Sequence, residues 1–213
     1  MTIAIRPATE QDSSFIAWVE LTAARSHLPT GIFDLSFPGP EAQRLELLDR
    51  ICRAEVRSIC HWSGFLVAEV EGEPAAALSG YAPSEHHDTL GPAFSCALRD
   101  AGWTEEEITA CFVRIAPSAT CMREPEDDTW VVEWVATRES HRGRGLARSL
   151  LTEILELGHR RGYRKGQISV LIGNDPAQRV YSSAGFEVID EARHEAFEAA
   201  LGSPGVRRMQ RAL

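Results

Sequence analysis

Two glycines one residue apart, Gly143 and Gly145, sit among Arg142, Arg144 and Arg148 at the head of an apolar repeat through Leu146, Ala147, Leu150, Leu151, Ile154 and Leu155. Glycine lets the backbone turn and approach a ligand closely. A helix that begins at once adds several amide N–H groups without intrahelical partners and the positive end of the helix dipole. The combination is an anion cradle, most naturally for a diphosphate. Two better-known cradles are excluded. A dinucleotide fingerprint starting at Gly143 needs glycine or alanine where Arg148 stands, and a P-loop needs Gly-Lys followed by Ser or Thr.

A second group able to do chemistry lies just upstream. Glu133 stands in Trp130–Thr137 (WVVEWVAT), and a carboxylate among Val132, Trp134 and Val135 has its pKa raised by burial and can serve as a base, directly or through water. The same residue can instead point to solvent or pair with an arginine. Other candidates are weaker. Ser84-Glu85-His86-His87-Asp88 suggests a metal, but adjacent histidines rarely converge on one ion and no spaced partner ligand is evident, so we expect a polar loop near a binding pocket and no metal. Cys60-His61 is too close in sequence for a thiol and its base, and Cys60 reads as a buried structural cysteine. The five tryptophans read mostly as core.

Composition narrows the partners. The 213 residues carry a formal charge of −9, so nonspecific binding to nucleic acid or to an acidic membrane is not expected. Between Arg138 and Lys165, however, eight Lys or Arg face three Glu, a local balance of +5 that leaves −14 for the remainder. Such a segment is either a solvated helix face or a site for a small anion. Five cysteines without a C-x-x-C pair fit neither a disulfide framework nor a zinc knuckle, and the start lacks a signal-peptide pattern. We expect a cytoplasmic protein of one domain, 1–213, able to bury its own core.

These residues need elements to position them. Alternation over 2–6 predicts a strand, and 13–24 a helix. Leu28–Pro40 holds three prolines and two glycines around Ile32, Phe33, Leu35 and Phe37, and reads as a loop with apolar contents of the kind that covers a pocket. Helical spacing of Leu45, Leu48, Cys52, Val56 and Ile59 predicts a helix over 41–59. Phe65–Val70 and Ala75–Tyr81 read as a hairpin around Glu71-Gly72-Glu73-Pro74. A helical insertion occupies about 83–128, with helices near 93–100 and after Gly102, the latter opened by a Thr104/Glu107 capping box. Then come a strand over 130–137, the glycine turn and its helix ending near Gly158 or Gly162, and a strand over 168–172. A short helix over 175–184, a strand over 186–189, a helix over 194–201 and a strand over 206–209 complete the chain.

Arg142-Gly143-Arg144-Gly145-Leu146-Ala147 matches the pattern Gln/Arg-x-x-Gly-x-Gly/Ala. Asn174-Asp-Pro-Ala177 with Tyr181-Ser-Ser-Ala-Gly185-Phe186-Glu187 matches Asn-x-x-Ala followed by Tyr-x-x-x-Gly-Phe. Both motifs at this separation, each at a strand-to-helix junction, resemble the GNAT superfamily of acyl-CoA-dependent N-acetyltransferases, most clearly over Trp130–Glu187. The resemblance implies an α/β (α+β) fold: a GNAT-type mixed, mainly antiparallel sheet flanked by helices, in which two neighbouring parallel strands splay apart and form the acyl-CoA cleft. It implies acetyl-CoA as co-substrate, with the backbones of Val135 and Thr137 along the pantetheine arm and the amides from Arg142 to Ala147 (Arg142, Gly143, Arg144, Gly145, Leu146, Ala147) on the pyrophosphate. The Val135 N–H would face the thioester oxygen, where one fixed donor lowers the barrier by roughly 3 kcal/mol. Asn174 would hold the pantetheine or the following turn. Tyr181 sits where the family often places its general acid; it reads equally as a core tyrosine.

The expected function is acetyl transfer from acetyl-CoA to a small amine, an amino acid or a peptide amine. An acidic surface weakly favours a cationic acceptor such as a polyamine, an aminoglycoside or a lysine side chain. A noncatalytic acyl-CoA-binding or sensing module and an interaction protein that keeps the fold without ligand are the other classes. A homodimer is a family-level expectation.

Overall fold

The computed structural model of the protein describes residues 2–85 and 89–213. The chain opens with β1 (Ile3–Pro7), α1 (Ser13–Arg25), α2 (Ile32–Ser36) and α3 (Glu41–Cys52), then forms β2 (Phe65–Val70) and β3 (Glu73–Tyr81). Helices α4 (Leu90–Asp100) and α5 (Glu105–Ile115) follow, with a 3-10 stretch over Ala116–Cys121. The second half alternates as β4 (Thr129–Thr137), α6 (Leu146–Arg160), β5 (Lys165–Leu171), α7 (Asp175–Ser183), β6 (Glu187–Arg193), α8 (Glu195–Leu201) and β7 (Gly205–Ala212).

One sheet of seven strands runs in the order β1-β2-β3-β4-β5-β7-β6. Every neighbouring pair is antiparallel except β4 and β5, which gives the expected mixed sheet with one parallel pair. The β2–β3 hairpin closes through Glu71 and Gly72, at φ 54° and 86°, the positive values a two-residue turn of matching twist requires. The α5 cap is the one the sequence predicts: the Glu107 amide donates to Thr104 Oγ1 at 3.2 Å and the Thr104 amide to Glu107 Oε2 at 2.8 Å.

Three elements differ from expectation. Leu28–Pro40 contains α2, because Asp34 accepts the Gly31 amide at 2.8 Å and is itself gripped by Arg25 through two bonds of 2.9 and 2.8 Å. These tertiary partners stabilise a helix too short for periodicity to reveal. The helix from Glu41 stops at Cys52 rather than near Ile59. A turn closed by the His61 amide on the Ser58 carbonyl at 2.9 Å buries Cys60, and Val56 is left exposed. Strands β6 and β7 run longer than their apolar cores. Arg208–Asp190 and Arg207–Glu191, each 2.5 Å apart on paired positions, extend the ladder with charges that an alternation argument overlooks.

The sheet is covered on both faces. Leu66, Ala68 and Val70 of β2 face a core built with Leu150, Leu151, Ile154 and Leu155 of α6 and Tyr181 of α7. Phe65 and Val67 face Phe15, Ile16 and Val19 of α1 on the opposite side. Burying each large apolar side chain stabilises by roughly 1.5–3 kcal/mol, so the two layers hold β4 and β5 from both sides. Helices α2 to α5 add a satellite core on the α1 side around Phe33, Phe37 and Phe94.

Candidate functional site

The sheet is forked at the one parallel junction among the described residues. β4 and β5 pair from Thr129↔Lys165 to Val132↔Ile168 and no further. On its other edge, β4 has Glu133 opposite Ser79 and Ala136 opposite Ala77, so Trp134 and Val135 share the single position facing Leu78. This is a β-bulge, and Trp134 adopts φ 53°, a conformation costly for a bulky side chain. A bulge sharpens twist and bend, and here it begins one residue after the last parallel pair. The bulge also resets the faces: Val132 and Val135 join the α6 core, while Trp134 and Ala136 pack on the α1 side. A cleft of about 710 Å³ occupies the fork, lined by residues of both faces.

On the α6 side the cleft meets the glycine turn. Gly143 and Gly145 have φ of 74° and 79°, and a Cβ at either would meet nothing within 4 Å, so backbone conformation and not crowding is what requires glycine. Gly145 is the N-cap of α6. The amides of Gly143, Gly145, Leu146, Ala147 and Arg148 make no hydrogen bond to another described residue, which leaves a cluster of donors at the positive end of a fifteen-residue helix. Two of the expected contacts differ. The Arg142 amide is used inside the turn, donating to the Glu139 carbonyl at 3.2 Å, so that residue has only its side chain to offer. Arg144 is absent from the cleft lining and its Nη2 donates to the Ser140 carbonyl at 3.1 Å. Arg142, Gly143, Gly145, Leu146 and Ala147 do line the cleft, as do Val135, Thr137 and Asn174.

Asn174 works as a clamp. Its Oδ1 accepts the Ala177 amide at 3.2 Å, capping α7, and its Nδ2 donates to Ser26 Oγ at 2.6 Å, where α1 ends. The side chain thus fixes the turn, and through it ties the two faces together across the mouth of the fork. Tyr181, on the buried face of α7, lines the cleft with its ring edge-on to Phe186 at 6.5 Å between centroids. Its hydroxyl bonds to no described residue, and burial pushes its pKa up, so it stays protonated across the physiological range.

Glu133 lines the cleft at the α1-side wall. Withdrawal from water pushes its carboxyl up to about 7, a shift opposed by a hydrogen bond from the Tyr81 hydroxyl. Tyr81 lies two residues beyond Ser79, the cross-strand neighbour of Glu133, so the two side chains share one face as a diagonal pair. Sequence reading missed Tyr81 because that pairing depends on the β3–β4 register. Behind them Cys60 and Glu20 are fully buried. Burial holds the Glu20 carboxyl well above the usual carboxylate range and the Cys60 thiol well above its own. Cys60 is therefore the structural cysteine its sequence context suggests. His86, His87 and Asp88 lie outside the described residues; among the described ones no group of three or more His, Cys, Asp or Glu is arranged to hold a metal ion. No helix among them is long and apolar enough to cross a membrane.

The fork, its glycine turn and its two titratable walls can be set beside known proteins. The family model described as Acetyltransferase (GNAT) family matches residues 32–186. The chain belongs to the GNAT acetyltransferase family. Among solved structures, this GNAT protein is similar to an acetyltransferase at 21% identity and TM-score 0.72, over 98% of both chains. It is equally similar to an N-acetyltransferase from Staphylococcus aureus Mu50, at 21% identity and TM-score 0.71, over 98% of this chain and 100% of the other. The putative acetyltransferase yncA from Salmonella typhimurium, solved with its cofactor acetyl-CoA, shares 16% identity at TM-score 0.53, over 100% of this chain and 95% of the other. No curated protein sequence matches the chain. At these identities the shared property is the fold.

Proposed function

We propose that this GNAT protein transfers an acetyl group from acetyl-CoA to a primary amine by direct attack, without an acyl-enzyme. The observation that carries the reading is the continuity of the cleft, which runs from the donor-lined turn of α6, through the gap between β4 and β5, to the Glu133 carboxyl on the opposite face. Acetyl-CoA supplies an activated thioester; the chain supplies placement and proton traffic. The amides of Gly143, Gly145, Leu146 and Ala147, with Arg142 and Arg148 beside them, fit a diphosphate. The unpaired bulge residue Val135, with Thr137, offers backbone to the pantetheine arm where β5 has moved away. Burial pushes the Glu133 carboxyl up to about 7, near the working pH, which matches the demand on a general base. Tyr181, which lines the facing wall and is held protonated by burial, is the group that would give a proton to the departing sulfur in this reading.

Thiol release from acetyl-CoA across a panel of amines, with a no-amine control and a parallel CoA thermal-shift titration, tests the reading. CoA at one hundred times its dissociation constant stabilises by about 2.7 kcal/mol, roughly 5–10 °C for a chain of this size. Amine-dependent release is expected. Stabilisation with no release from any amine would leave a noncatalytic acyl-CoA-binding module.

A further inference from the structure

The two ends of the cleft differ in charge. Its basic lining residues, His141, Arg142 and Arg148, all lie in or beside the α6 turn. On the other side of the fork the walls come from Ile32 of α2, Ser118 and Met122 at the 3-10 stretch, Trp134 of the bulge, and Phe197 and Leu201 of α8. These elements are packed together: α8 sits on the 3-10 stretch, and the ring of Phe33, next to Ile32, lies tilted against Trp134 with centroids 5.2 Å apart. Among the described lining residues of that end, Glu133 carries the single ionisable group.

Taking the transferase reading as its basis, we infer that the acceptor is a primary amine on an uncharged, apolar body, an alkylamine or arylalkylamine, and not a free α-amino acid or a polyamine. Glu133 accounts for one ammonium. A carboxylate next to that ammonium would enter beside Glu133 with no lining cation to pair it, and burying an unpaired charge is costly. A second ammonium on an extended chain would run along Ile32, Trp134 and Leu201, where no lining counter-charge meets it. Hydrocarbon or an aromatic ring loses nothing there and gains the burial. This narrows the acidic-surface expectation: one cationic head is favoured, several are rejected. Discrimination comes from what the pocket leaves unpaired in the wrong ligand.

Matched pairs test the inference. Thiol release is measured with 2-phenylethylamine against phenylalanine, and with hexylamine against hexane-1,6-diamine, alongside a peptide amine. The uncharged-body member of each pair is expected to show kcat/KM at least about tenfold higher. Met122 is 55% exposed, so Met122→Arg is compatible with the fold and places a cation at this end. It is expected to narrow the 2-phenylethylamine to phenylalanine ratio at least about fivefold by pairing the added carboxylate. A smaller preference in either pair, or a ratio untouched by Met122→Arg, overturns the inference while amine-dependent release still upholds the transferase. Release with the peptide amine alone overturns it in the same way. Release with no amine at all brings down both.

Discussion

The α6 side and the α1 side of one cleft are built by different means. On the α6 side the working groups are five backbone amides between Gly143 and Arg148, set by two left-handed glycines, and a clamp at Asn174 that caps the helix carrying Tyr181. On the α1 side the walls are side chains drawn from α2, the 3-10 stretch, β4 and α8, elements scattered from Ile32 to Leu201. Backbone chemistry has a local sequence requirement, a glycine here and a cap there. A side-chain pocket has only the requirement that distant elements meet.

The sharpest way to break this comparison is at the point where the halves touch. Glu133→Gln keeps shape and removes the base, and kcat is expected to fall by about 10²–10⁴-fold with CoA stabilisation unchanged. In the wild type, kcat/KM is expected to fall as pH drops through about 7, where Glu133 takes up its proton. The same shift has a stability sign. The folded pKa lies above the ordinary 4.5, so this group's contribution is fully present below 4.5 and is lost as pH rises through about 7. The Gln variant is expected to lose less stability over that window in thermal melts. A retained acid limb in the Gln variant would assign the base to another group.

Gly145→Val strikes the other half. At φ 79° a β-branched residue is strained by roughly 1–3 kcal/mol, and relief by rotating the turn swings the amides away from the cleft. With open space around the new side chain the fold is expected to survive, and CoA affinity to drop about 10²-fold, read as loss of CoA-induced stabilisation. Wild-type affinity would refute the cradle. Tyr181→Phe is gentler. The ring keeps its place against Phe186, so acetyl-CoA affinity should hold while kcat falls about 10- to 100-fold. An unchanged kcat would return Tyr181 to the role of a core tyrosine.

What the sequence disclosed follows the same division. The order of strands, the α5 capping box, the glycine turn and the second motif at Asn174–Phe186 are short-range patterns, and each sits where it was expected. The β4 bulge was hidden, since a run of Trp130–Thr137 looks like any doubly buried strand and nothing local marks Trp134 for φ 53°. α2 was hidden because Arg25, seven positions upstream of Ile32, is what holds Asp34. The taken Arg142 amide and the Tyr81–Glu133 pair depend on hydrogen bonds and register that no spacing rule encodes.

Tyr81 offers the smallest and most discriminating test. Its hydroxyl donates to the Glu133 carboxylate and so favours the charged form against the desolvation that raises the pKa. Burial keeps Tyr81 itself protonated, so the donor is present at every working pH. Tyr81→Phe is therefore expected to raise the Glu133 pKa above its wild-type value of about 7, and to move the acid limb of the kcat/KM profile upward by about one pH unit. Activity should fall several-fold at neutral pH and return at pH 9. A purely structural role for Tyr81 would lower the rate evenly across the profile, and a limb that stays in place would detach Tyr81 from the site.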